Sequence, residues 1–128
     1  MIFETLRLLI PFDLPNERKI RVGGSGDGSY VLVDRLHELQ PVLSFGIGPS
    51  VQFELDMATR GHDVILLDHT VDKMPAEHER FTWFREGILS HSAPQRNLFT
   101  LAEHAEKLPS GCCNAILKMD VEGAEWGI

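Results

Sequence analysis

A chain of 128 residues, 43% hydrophobic and 24% charged, has room for one packed domain and is short for a doubly wound fold. Its net charge of −7, from 12 basic and 19 acidic residues, leaves no basic stripe to displace counterions and argues against non-specific nucleic-acid binding. No stretch approaches the roughly 20 apolar residues of a membrane span, and the adjacent Cys112-Cys113 suit neither a disulfide nor a zinc site. The expectation is a soluble, cytoplasmic protein.

Residues 2–10 place Phe3, Leu6, Leu9 and Ile10 on one side of a short helix. Glu4 and Arg7 interrupt the apolar run and no small-residue cleavage site follows, which argues against a signal peptide. The next stretch, RVGGSGDGSYVLV from Arg21 to Val33, flanks a glycine cluster with two β-prone segments and predicts a hairpin or a glycine loop. It lacks the Lys-Ser/Thr and the following helix of a phosphate-cradling P-loop. Asp27 and Tyr30 are the polar groups this loop presents. Asp34 to Gln40 reads as a polar connector with one or two helical turns.

Pro41 to Asp68 is the most legible part. Val42, Leu43, Ser44, Phe45 and Ile47 form an apolar run of the kind buried on both faces of a parallel sheet. Gly46 and Gly48 allow a tight turn, Pro49 suits a first helical position, and Gly48 or Ser50 is the expected cap. Val51, Leu55 and Ala58 mark one face of a helix over 50–60, which Gly61 ends. Val64 to Leu67 is a second strand, closed by Asp68. The unit is βαβ, and its chemistry belongs at the carboxyl ends of the strands, where the glycine turn and free helix N–H groups take a polar cofactor group. An acid about twenty residues after such a turn can hold ribose hydroxyls, and Asp68 has that spacing from Gly46. Val51 occupies the third position of the dinucleotide fingerprint, where Gly or Ala is needed, and this argues against NAD and FAD.

Asp68, His69, Asp72 and His78 match no metal-binding spacing, so no metal is expected. Residues 81–88 predict a third strand with Gly87 near its end. Thr100 and Glu103 form a capping box for a helix over 101–108, with Leu101, Ala102, Ala105 and Leu108 as its buried stripe. Residues 115–121 predict a fourth strand, after which Glu122 to Trp126 turns toward another helix. The expected fold is α/β, a mainly parallel sheet in the order 3-2-1-4 with the two helices on opposite sides.

Three blocks, RVGGSGDGSYVLVD, SFGIGPSVQFELDMATRGHDVILLDHT and LKMDVEGAEW, together resemble the FkbM-like group of S-adenosylmethionine-dependent methyltransferases. They span roughly Arg21 to Trp126, and the last is the most specific. The resemblance implies a Rossmann-like three-layer sandwich over 1–128 with an N-terminal helix and a glycine-rich hairpin. It is truncated relative to the family's seven-stranded sheet, being either a piece of a longer protein or a remnant of one.

By motif position, Gly46 and Gly48 pass beneath the methionine moiety of S-adenosylmethionine, and Asp68 binds its ribose. Gly87 and Ile88 neighbour the adenine, while Phe45, Ser50 and His69 complete the cofactor-binding set. Asp120 faces the methionine end, and Glu122 lies where the methyl acceptor enters. Asp120 and Glu122 are the candidate catalytic bases, and Asp27 and Tyr30 close over the cofactor. The acceptor is a small molecule or one of unknown kind, with oxygen as the expected methylated atom. The edge of the strand at 115–121 is an expected homodimer contact, and the chain itself is expected to lack turnover. A non-catalytic nucleotide-binding or interaction module stands as the alternative, with an NAD-dependent oxidoreductase third.

Overall fold

The computed structural model describes residues 14–36 and 40–128; the helix expected over 2–10 and part of the 34–40 connector lie outside them. The first elements are β1 (Lys19–Val22) and β2 (Tyr30–Val33), an antiparallel hairpin in which Val22 faces Tyr30 across the glycine loop. Then come β3 (Val42–Phe45), α1 (Gln52–Thr59), β4 (Val64–Leu67) and β5 (Phe81–Phe84). The short strands β6 (Gly87–Ile88) and β7 (Leu98–Phe99) precede α2 (Leu101–Ala105) and β8 (Ile116–Met119).

The domain is a mixed α/β structure around a four-stranded parallel sheet, with neighbours in the order β5, β4, β3, β8. Every residue of β3 and β4 is buried, as befits central strands covered on both faces. Alternation along these strands divides the core in two. Val42, Val64 and Leu66 meet Phe53, Met57 and Ala58 of α1, with Val22, Tyr30 and Leu32 of the hairpin packed on the same side. Leu43, Phe45, Ile65 and Leu67 form the other cluster, joined by Leu101 and Leu108 around α2. The hairpin is pinned to α1 by the Gly23 N–H, which donates to Asp56 at 3.2 Å. β8 is an edge of the sheet, and its Leu117 is exposed.

Three boundaries differ from the sequence expectation, each for a local reason. α1 begins at Gln52 behind Val51, which offers no side-chain cap, so Gly48 and Ser50 do not cap it. Asp68 captures the Ile47 and Gly48 N–H groups and prolongs the turn. The buried face of α1 is formed by Phe53, Glu54, Met57 and Ala58, in place of the expected Val51, Leu55 and Ala58 stripe. The strand expected over 81–88 divides, because the Glu86 N–H turns back to the Phe84 carbonyl at 2.8 Å. Gly87 and Ile88 then pair in parallel with Leu98 and Phe99 in a separate sheet. α2 carries the expected capping box at Thr100 and Glu103 but ends at Ala105. Lys107 and Leu108 tighten into three-residue bonds ahead of Pro109, and Ala102 and Ala105 stay exposed.

Candidate functional site

The carboxyl ends of β3, β4 and β8 open into a cavity of about 370 Å³, within the usual range for a small-molecule site. Gly46 ends β3 in the left-handed region, φ 73°, and a Cβ there would overlap the carbonyl oxygen of Asp120. Only glycine therefore lets the turn pass beneath the end of β8. Gly48 also has positive φ, 53°, and nothing lies within 4 Å of where its Cβ would stand. Gly48 is among the residues that line the cavity.

Asp68 fixes the turn from the β4 side. Its Oδ2 accepts the Ile47 and Gly48 N–H groups at 3.0 and 3.1 Å, and its Oδ1 accepts the N–H and hydroxyl of Thr70 at 2.8 and 2.6 Å. Burial alone raises its pKa, but the bonds from Thr70, Gly48 and Ile47 outweigh burial and hold the carboxyl below its ordinary value. A carboxylate has about four acceptor positions. All four are occupied within the chain.

Asp120 is different. Its backbone N–H continues the ladder to the Phe45 carbonyl at 3.1 Å, while the residue is exposed at the cavity mouth. Its Oδ2 accepts the Tyr30 hydroxyl at 3.3 Å. Tyr30 rests edge-on against Phe53, with ring centroids 5.3 Å apart. Burial, followed by the charge of Asp120, raises the Tyr30 pKa to about 12, so the phenol stays protonated and acts as the donor. Glu122, two residues on, has φ 55°, an unusual conformation for a residue with a side chain.

Of the residues singled out in the sequence, Asp27, Gly46, Gly48, Ser50, Asp68, His69, Asp120 and Glu122 all line this cavity. Phe45 does not: it is fully buried and packs edge-on against His104. Gly87 and Ile88 lie behind the wall, where a Cβ on Gly87 would strike the His69 imidazole. On the far side the Gly87 carbonyl accepts the Nε2–H of buried His104 at 3.0 Å. Burial pushes the His104 pKa down, and the Gly87 carbonyl bond and then the charge of Glu86, 3.5 Å from Nδ1, oppose this only in part. Among the described residues no group of three or more His, Cys, Asp or Glu side chains is arranged to hold a metal ion. Likewise, no helix is long and apolar enough to cross a membrane.

Sequence reasoning passed over two residues that matter here. Lys118 lies within β8 and Glu54 on the buried face of α1, and both reach the cavity. Their side chains are 9% and 1% exposed, with Nζ and Oε1 3.4 Å apart. Lys118 donates to the Gly46 carbonyl at 2.5 Å, and Glu54 accepts the Ser44 hydroxyl at 2.5 Å. The available signal was a lysine inside an otherwise apolar strand. Comparison with protein-family models, curated proteins and solved structures finds no match to this chain in any of the three.

Proposed function

We propose that this cavity binds S-adenosylmethionine and that the chain is a Rossmann-like domain of the methyl-transferring kind, with an oxygen nucleophile as acceptor. The observation that carries the reading is the glycine turn at Gly46–Gly48, held open beneath an acid-lined cavity at the carboxyl ends of β3, β4 and β8. The residues fit such a cofactor in two respects. Gly48 lines the cavity with no atom within 4 Å of where its Cβ would stand, and the carboxylates of Asp27, Asp120 and Glu122 suit a ligand bearing positive charge.

When bound, the cofactor supplies an activated methyl group, so the chain's own task is alignment and proton removal. Asp120 is the proposed base, steadied by the Tyr30 hydroxyl, and Glu122 lies beside it at the acceptor's side. Gly46 and Gly48 give close backbone approach to the methionine end. A ribose role for Asp68 requires its Thr70 bonds to be exchanged for ribose hydroxyls.

That requirement favours a second reading, a non-catalytic nucleotide-binding or interaction module in which Asp68 serves only the turn. Calorimetric titration with S-adenosylmethionine, S-adenosylhomocysteine and NAD tests the proposal. Binding of the first two and not the third is expected. Tighter binding of NAD, or binding of none, overturns it.

A further inference from the structure

We infer that Lys118 and Glu54 together receive the amino-acid end of a nucleoside-linked amino acid, an inference that rests on the cofactor reading above. Ser44 and Lys118 are directly opposed on β3 and β8, and Glu54 descends from α1 to meet both. Three polar groups thus interrupt a face otherwise built from Val42, Val64, Leu66, Phe53 and Met57. A buried ion pair is a poor way to stabilise such a face, because desolvating both charges offsets their attraction and an apolar pair often does as well. The position of the pair points to another use.

Its geometry leaves capacity for a ligand. An ammonium has three donors, and among the described residues Lys118 has one hydrogen bond, to the Gly46 carbonyl, and a looser 3.4 Å approach to Glu54. Both side chains line the cavity beside Gly46 and Asp120. An incoming α-carboxylate meets the Lys118 ammonium, and an α-ammonium meets the Glu54 carboxylate. The internal ion pair is then replaced by two contacts of matched charge. A ligand without the amino-acid end makes neither contact.

The test compares S-adenosylhomocysteine with 5′-methylthioadenosine, the same nucleoside thioether without the amino-acid end. Calorimetry on the native chain is expected to give at least about a tenfold advantage to S-adenosylhomocysteine. In Glu54→Leu/Lys118→Met, which replaces the pair with apolar groups of similar size, the advantage falls to within about threefold while methylthioadenosine binds as before. A folded double variant that keeps the native ratio overturns the inference and assigns the pair to holding the turn. Equal affinities for the native chain also overturn it, yet leave the nucleoside site standing; failure of both ligands to bind removes the site as well. Should the double variant not fold, decarboxylated S-adenosylhomocysteine on the native chain decides. About a tenfold loss supports the Lys118 contact, and unchanged affinity overturns it.

Discussion

Two strands end in an aspartate at the mouth of one cavity, and the two residues have opposite characters. Asp68, after β4, is 6% exposed with all its acceptor positions filled by Ile47, Gly48 and Thr70. Asp120, after β8, is exposed, and the Tyr30 hydroxyl reaches it at 3.3 Å. Both strands neighbour β3, and the difference lies in what each aspartate turns toward the glycine turn. Asp68 offers its carboxylate to the orphan N–H groups of Ile47 and Gly48, whereas Asp120 meets the turn at Gly46 with its backbone carbonyl. β8 is at the edge, and past it Val121, Glu122 and Gly123 turn away, with Glu122 and Gly123 in left-handed conformations. One carboxylate builds the site, and the other is left free to act in it.

The strongest challenge to this contrast is at the turn both acids flank. Gly46→Ala puts a methyl group into the Asp120 carbonyl at a positive φ, so it forces β8 away from β3. A loss of about 4 kcal/mol or more is expected, read as a large drop in melting temperature or as failure to fold. Melting within a few degrees of the native chain would mean that the turn is not held as described.

Next in size is Asp68→Asn. The amide keeps one acceptor oxygen and turns an NH₂ toward N–H donors, so about 2–3 kcal/mol of stability should be lost even without ligand. The native carboxylate also sets an acid limb. Its folded pKa lies below the ordinary 3.8, so its contribution is complete above that value and disappears as pH falls through the lower folded value. Asp68→Asn should flatten this limb in a stability-versus-pH series. An unchanged limb and unchanged melting would return Asp68 to a purely ligand-binding role.

Asp120→Asn is the counterpart. An exposed residue with one long hydrogen bond should cost no more than about 0.5 kcal/mol of stability. Loss of its charge should nevertheless weaken binding of the sulfonium ligand S-adenosylmethionine by roughly three- to tenfold, and that of neutral-sulfur S-adenosylhomocysteine less. Equal effects on the two ligands would remove Asp120 from the charge-sensing side of the cavity.

The contrast between the two acids was not legible in the sequence, although their positions were. Apolar runs at Val42–Phe45 and Val64–Leu67 around a glycine turn admit few arrangements other than parallel strands, so the sheet core could be read directly. An acid after each strand was equally visible. Which acid would be consumed by backbone donors depends on what each turns toward the glycine turn, which periodicity does not encode. The Lys118–Glu54 pair was hidden for a related reason. A charged residue in a pattern is counted as solvent-facing, so the stripe Val51, Leu55 and Ala58 was read as the inner face of α1, where the structure buries Phe53, Glu54, Met57 and Ala58. The break after Phe84 was also invisible, because Arg85-Glu86 reads as a polar step within a continuing strand until the Glu86 N–H turns back.

The smallest effect concerns Tyr30, which sharpens the description of Asp120. It is the chain's single tyrosine, so tyrosinate absorbance reports on one residue alone. In the folded chain its midpoint should be about 12, raised from 10.0 first by burial and then by the Asp120 charge. A raised pKa on a neutral acid stabilises the fold below the ordinary value, and that stability is lost as pH rises from 10.0 toward about 12. Asp120→Asn removes the second cause and leaves the first, so the midpoint should move only part of the way back. Asp68→Asn should not move it in any chain that remains folded, because Asp68 is engaged by Ile47, Gly48 and Thr70 and is not among the groups acting on Tyr30. If the Asp120 substitution leaves the midpoint unchanged, the Tyr30–Asp120 hydrogen bond is not formed in solution, and the hairpin does not steady the proposed base.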